Sequence, residues 1–103
     1  MEALSERKIL VVGASSGLGR ATAIALQRNG AHVAFAARRR DVLDEAVAEA
    51  GGGHVVVIDA LDPSSIEEGV AEAATVLGGL DGIVYTSGMS PMAPMAELAQ
   101  DDW

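Results

Sequence analysis

The sequence predicts an α/β fold, in which helices alternate with the strands of a parallel β-sheet. Two observations lead to it. Short aliphatic runs rich in β-branched residues alternate with longer stretches of helical apolar spacing, and glycine or Asp-Pro punctuation separates them. Hydrophobic residues make up 50% of the chain but aromatic ones only 3%, so the core must be built from Ala, Val, Ile and Leu. Side chains that small suit close packing of helices on a sheet. At 103 residues the chain has the length of one small domain, 1–103.

Each element follows in order. KILVVG, 8–13, contains Ile9, Val11 and Val12 and reads as a buried strand. From 17 to about 29 the spacing turns helical, with Leu18, Ala21, Ala25 and Leu26 as the apolar stripe and Gly30 as a left-handed stop. AHVAFAA, 31–37, is a second strand. A second helix is expected over 41–50, with Val42, Leu43, Ala46 and Val47 at helical spacing, Asp41 as its cap and Gly51 to Gly53 as its end. HVVVID, 54–59, is a third strand, apolar on both faces as in a sheet covered from two sides. Asp62 at the N-cap and Pro63 in the first turn start a third helix that runs to about Leu77 and stops at Gly78-Gly79. LDGIVYTSG, 80–88, is a fourth strand with a polar exit.

Right-handed crossovers favour the strand order 3-2-1-4. The topological switch point then falls between the first and fourth strands, with Gly13 and Gly88 at their carboxyl ends. That is a Rossmann-type arrangement, and ligands bind beside such a point.

Charge and composition exclude several classes. The net charge is −8, and all seven Lys and Arg residues lie within the first 40 positions. A nucleic-acid binder would carry a basic footprint, so none is expected as a partner. No apolar run approaches the ~18 residues of a membrane span. Arg7 and Lys8 before ILVV imitate a signal peptide, but the apolar run is too short and Arg20 interrupts soon after. With no cysteine, neither a disulfide framework nor a thiolate metal site is expected, and the expected location is cytoplasmic. His32 and His54 each open a strand without partners at ligand spacing, so no metal site is expected.

The loop VVGASSGLGR, 11–20, joins the first strand to the first helix and supplies most of the candidate site. A diphosphate needs backbone N–H donors, the positive end of a helix dipole, and no side chain in its way. Gly13 permits the turn out of the strand, Gly17 lets phosphates approach, and Gly19 lets the helix pack closely; Ser15 and Ser16 add hydroxyls that reach phosphate or cap the helix, and Leu18 lies between. The alternative is a turn with glycines for geometry alone. Placement between a strand and a helix, inside an α/β rhythm, favours the phosphate.

The exit of the second strand selects the nucleotide. An NAD site offers a carboxylate there for the ribose 2′-hydroxyl; here the strand ends in Arg38, Arg39 and Arg40. Arginine binds a 2′-phosphate through a planar fork, so NADP fits better than NAD. The alternative is a solvated basic turn. At the third strand's exit, Asp59, followed by Ala60, is placed either to accept from an adenine amino group or to form a turn.

These pieces resemble the short-chain dehydrogenase/reductase family, from Lys8 to Trp103. GASSGLG matches that family's G-x-x-x-G-x-G loop, AARR the second-strand ending of its NADP-preferring members, and Asp59 its adenine-contacting Asp. Thr86, Ser87 and Gly88 stand where the family has Asn-Asn-Ala-Gly beside the nicotinamide, and LAQDDW resembles the start of its next helix. Two departures stand out: Val12 replaces the Thr before the first glycine, and Tyr85-Thr86-Ser87-Gly88 replaces the asparagines. In the family those polar groups bond each other, so a variant loop is implied.

The resemblance implies a nicotinamide dinucleotide, a small carbonyl or alcohol substrate, and a catalytic Ser with Tyr-x-x-x-Lys, in which a nearby ammonium lowers the phenol's pKa. Tyr85 is the single tyrosine, position 89 is Met, and the single lysine is Lys8, so none of these catalytic residues is expected here. The methionines 89, 92 and 95 suit either a loop over the cofactor or apolar packing. The expectation is the cofactor-binding half of an NADP(H)-dependent oxidoreductase, its sheet incomplete on the C-terminal side and open to pairing with a second copy. The alternatives are a non-catalytic nucleotide-binding or interaction module, or a truncated product.

Overall fold

Four short aliphatic runs form strands, and the three amphipathic stretches between them form helices. In the computed structural model, which describes residues 5–86, the order is β1 (Lys8–Val12), α1 (Gly17–Arg28), β2 (His32–Ala37), α2 (Arg40–Ala50), β3 (His54–Val57), α3 (Pro63–Leu77) and β4 (Gly82–Tyr85). All strand pairs are parallel, and the sheet order is β3-β2-β1-β4, as the sequence predicts. Register aligns Val12 with Ala36 on one side and with Tyr85 on the other. Ala37 meets Val57. The carboxyl ends of all four strands therefore share one edge of the sheet.

Side chains alternate across each strand, and this period of two divides the core. Val11, Val33 and Phe35 face Ala23 and Ile24 of α1 and Leu43, Ala46 and Ala50 of α2. Leu10, Val12, Ala34, Ala36 and Val56 face the opposite way, with Ile58, toward Ala73 and Leu77 of α3. Two helices thus cover one face and one covers the other. Polar ties fix the ends. Lys8 donates its backbone N–H to Asp81 Oδ2 at 2.8 Å and its ammonium to the Gly78 carbonyl at 3.3 Å. Arg20 pairs with Glu49 at 2.9 Å, and Arg28 donates to the Glu49 carbonyl at 2.7 Å, which joins α1 to α2.

Four details differ from the sequence expectation. The buried face of α1 is Gly19, Ala23 and Ile24, whereas Leu18 is 51% exposed and Ala21 and Ala25 face water. Close packing at Gly19 sets that rotation, and Gln27 reinforces it by accepting the Val33 N–H at 3.0 Å. Asp41 does not cap α2. The helix starts one residue earlier with Arg39 at the N-cap, and the Asp41 carboxylate binds the Arg39 guanidinium. Ile58 and Asp59 lie beyond β3, which also leaves Val57 42% exposed because it is an edge strand. β4 is shorter than expected, since Leu80 and Asp81 belong to the turn before it and Thr86 follows its end. Asp62 does cap α3, accepting the Ser64 N–H at 3.0 Å with Pro63 in the first turn.

Gly69, in the middle of α3, is where helix propensity and packing oppose each other. Alanine favours a helix interior by about 1 kcal/mol over glycine. A Cβ at Gly69 would fall on Cγ1 and Cδ1 of Ile58, a side chain only 1% exposed. Overpacking a full core costs about 1–3 kcal/mol. Gly69→Ala is therefore expected to lower the urea midpoint despite the better helix former; an unchanged or raised midpoint would show that Ile58 has room to move.

Candidate functional site

After Val12 the chain leaves the sheet by a turn that only a small residue can make. Gly13 has φ +94°, and the N–H groups of Gly13 and Ala14 both donate to the Ala36 carbonyl, at 2.8 and 3.0 Å. A Cβ on Gly13 would fall on the Thr86 carbonyl oxygen, and one on Gly19 would fall on the Gly13 carbonyl oxygen. Gly19 therefore packs on the loop and the β4 exit, where the sequence suggested only close packing of the helix. Gly17 opens α1 at φ +60° with nothing within 4 Å of a Cβ position, so its side-chain space is open.

The start of α1 is left polar and positive. Ser16 occupies the N-cap in extended conformation, but its side chain makes no capping bond, and the first turn holds no acidic residue. Of the two roles the sequence allowed for the Ser16 hydroxyl, capping is not the one seen. Among the described residues no side chain caps or neutralises the positive end of the dipole, which favours an anion there.

Beside this turn lies a cleft of about 320 Å³, lined by Val12, Gly13, Ser15, Ala37, Arg38, Ile58, Asp59, Ala60, Leu61, Tyr85 and Thr86. It runs along the carboxyl ends of all four strands. Of the candidate residues, it brings together Gly13, Ser15, Arg38, Asp59 and Ala60. Ser16, Gly17, Leu18, Gly19 and Arg39 lie outside its lining. Ser87 and Gly88 fall outside the described residues, as do Met89, Met92, Met95 and LAQDDW.

Arg38 and Arg39 are not equivalent. Arg38 lines the cleft and makes no ion pair or side-chain hydrogen bond among the described residues. Arg39 points its guanidinium to Asp41 Oδ2 at 3.0 Å. That hydrogen bond, ahead of the guanidinium's charge, holds the Asp41 carboxyl below its ordinary 3.8. A lowered carboxylate pKa contributes stability above the unfolded value and loses it as pH falls through the folded one. The Asp41 carboxylate is thus ionised opposite Arg39 at neutral pH.

Asp59 is held by its own turn. Its N–H donates to the Ser65 hydroxyl at 2.7 Å, its Oδ1 accepts the Leu61 N–H at 3.0 Å, and its carbonyl accepts the Asp62 N–H at 3.0 Å. The turn-forming role is present, and among the described residues Oδ2 makes no hydrogen bond. Leu61 next to it is 87% exposed at the cleft rim.

Sequence reasoning passed over Ile58, Leu61 and the cleft-lining position of Tyr85. Ile58 and Leu61 flank the Asp59 turn, a signal available in the spacing. Tyr85 also packs against the α3-side core.

The family model for short chain dehydrogenases matches residues 7–103. The chain belongs to the short-chain dehydrogenase family. Among its relatives, glycine betaine reductase ATRR of Emericella nidulans is 38% identical over 104 residues, covering 97% of this chain and 8% of that protein. The L-xylulose reductase of Mesocricetus auratus is 34% identical over 98 residues, covering 95% of this chain and 38% of that one. The crystal structure of apo glucose dehydrogenase from Caenorhabditis elegans matches with a TM-score of 0.75 at 30% identity, over 84% of this chain and 40% of that one. The chain therefore spans about two fifths of the length of these last two relatives. Short-chain dehydrogenases are nicotinamide-dependent oxidoreductases, and the glycine turn and cleft lie on the stretch this chain shares with them. No described helix is long and apolar enough to cross a membrane.

The two loop glycines make separable demands. Alanine at Gly17 costs about 1–2 kcal/mol for the left-handed backbone alone, since its space is open. Alanine at Gly19 meets no such strain but drives a Cβ onto backbone that cannot rotate away. Gly19→Ala is expected to lower the urea midpoint more than Gly17→Ala; equal midpoints would contradict the close approach.

Proposed function

We propose that this chain is the NADP(H)-binding half of a short-chain oxidoreductase that moves hydride between a nicotinamide and a small carbonyl or alcohol. The observation that carries the reading is Arg38, a guanidinium on the cleft lining with no carboxylate partner among the described residues. A ribose 2′-phosphate offers such a fork two oxygens, and charge-assisted bonds of that kind are the strong ones. An NAD site would favour an acid at this strand exit, where Ala37 and Arg38 stand instead.

The remaining assignments follow from the same placement. The diphosphate sits on the N–H groups at the start of α1, beside Gly13, Ser15, Ser16, Gly17, Leu18 and Gly19. The adenine lies between Arg38 and the Asp59–Ala60 turn, with Oδ2 of Asp59 ready to accept from its amino group. Arg39, bound to Asp41, is a second contact only if that pair opens. Ser87 and Gly88 continue toward the nicotinamide. The bound nicotinamide supplies or takes the hydride; the residues of this chain bind and orient it. Proton transfer to substrate needs a phenol beside an ammonium. Lys8 begins β1 and is tied to Gly78, whereas Tyr85 ends β4 at the other edge of the sheet, so these two cannot form that pair. The reading accordingly assigns this chain cofactor binding and no proton-transfer residue.

Arg38→Glu tests the cofactor choice. NADPH affinity is expected to fall by at least about 100-fold, as when a charged bond is replaced by repulsion, while NADH affinity changes by no more than a few-fold. Equal losses for both dinucleotides would remove the 2′-phosphate role from Arg38.

A further inference from the structure

We propose that Asp41 is a specificity-determining residue, a built-in rival that holds the Arg39 guanidinium until a ribose 2′-phosphate displaces it. The inference deepens the cofactor reading above and rests on it for the identity of the ligand. The 2′-phosphate meets one arginine already at the cleft and a second that must be released to it.

The local backbone separates the two arginines. Arg39 is the N-cap of α2, extended at φ −104° and ψ 106°, and neighbouring side chains of extended backbone point to opposite sides. Arg38 lines the cleft, and Arg39 does not. The Arg39 guanidinium is held instead at the first turn of α2, where its Nη2 donates to Asp41 Oδ2 at 3.0 Å. That is its one side-chain bond among the described residues. It engages a single nitrogen of a group whose strongest pairs use two in a parallel fork. Both side chains are exposed, at 71% and 69%. Exposed pairs of this kind hold by a factor of about five at most.

Asp41 has its own reasons to stay where it is. It lies in the first turn of α2, where the helix dipole favours a negative charge. After the Arg39 bond, the N–H groups of Val42 and of Asp41 itself also favour the charged carboxylate. A fixed carboxylate and a singly bonded, exposed guanidinium form a pair that a stronger anion can open. A 2′-phosphate on Arg38 is such an anion, with a charge of about −1.5 to −2 at neutral pH and three acceptor oxygens. Arg39 is the next residue along the chain. The exchange turns side-chain torsions and leaves the N-cap backbone in place. Displacing Asp41 offsets part of what Arg39 gains from the phosphate, so Asp41 weakens NADPH binding and not NADH binding.

The test measures NADPH and NADH affinities for the full 103-residue chain, for Asp41→Asn and Arg39→Ala, and for the double variant. Asparagine keeps the shape of the side chain and removes its charge. Asp41→Asn is expected to strengthen NADPH binding about threefold, within the range of an exposed ion pair, and to leave NADH within about 1.5-fold. In the Arg39→Ala background the same change is expected to move NADPH binding by less than about 1.5-fold. A helix start that had merely loosened would not raise affinity for one dinucleotide alone. Unchanged or weaker NADPH binding in Asp41→Asn would overturn the proposal, as would equal strengthening of both dinucleotides. So would a gain that persists without Arg39, since the carboxylate would then act by its charge at a distance.

Failure of the cofactor reading has a different signature. If the wild-type chain and Asp41→Asn both bind neither dinucleotide, that reading fails and the competition fails with it. If the wild-type chain binds NADPH and Asp41→Asn shows no gain, the cofactor reading stands and the competition alone is lost. The uncharged variant Asp41→Ser guards against a fault peculiar to asparagine: it must show the same gain, and its absence there would overturn the competition equally.

Discussion

The carboxyl ends of β1 and β4 and the first turn of α1 meet so closely that neither Gly13 nor Gly19 has room for a side chain. Much of the remaining geometry follows from that contact. It sends the chain out of β1 with a positive φ at Gly13, and so starts α1 at the sheet edge, next to the cleft that Gly13 and Ser15 line. It also fixes the rotation of α1. With Gly19 against the loop, positions four and five residues further on, Ala23 and Ile24, are carried inward onto Val11, Val33 and Phe35. The same residues thus decide the orientation of the dipole and the packing of one core face.

The opposite half of the cleft is built by other means. Arg38 and Asp59 follow neighbouring strands, β2 and β3, whose Ala37–Val57 pairing brings their exits together. Side-chain bonds then sort the polar groups. Asp41 engages Arg39 and leaves Arg38 at the lining; Ser65 and Leu61 hold Asp59 through its N–H and one carboxylate oxygen and leave the other oxygen unbonded. Residues that were equivalent as a run of arginines or a pair of aspartates become distinct once their neighbours are known.

That sorting explains what could be read from sequence and what could not. Element order and the 3-2-1-4 sheet were legible because period-two and period-3.6 patterns, with Gly30, Gly51, Asp62 and Gly78 at their limits, are local properties of the chain. The glycine turn was legible for the same reason. The face of α1 was not, since alanines occur all round that helix and apolar spacing cannot choose between Ala21 or Ala25 and Ala23. A close approach between Gly19 and residues six and 67 positions away made the choice. The cap of α2 was misread because an Asp near a helix start suggests a cap, whereas an arginine two residues before it offered the stronger, charge-assisted partner. Thr86 looked like part of a loss, a missing asparagine. Only the pairing of β1 with β4 shows its hydroxyl at the Val12 and Gly13 carbonyls.

The charge of the chain is unevenly compensated. A net −8 opposes an anionic ligand if charge is averaged over the surface, but exposed charges are screened beyond about 8–10 Å at physiological salt. What a phosphate meets is local. Arg20 is matched by Glu49 and Arg39 by Asp41, so those pairs project little field. Lys8 and Arg28 are spent on carbonyls at the ends of α3 and α2. The start of α1, Arg38 and Arg40 are left, all following the carboxyl ends of β1 and β2 and none compensated by an acid among the described residues. The acids of α2 and α3 keep the remaining surface solvated and repel anions from it. An acidic protein whose uncompensated cations gather at one edge favours an anion at that edge over the rest of its surface, and the glycine turn lies beside it.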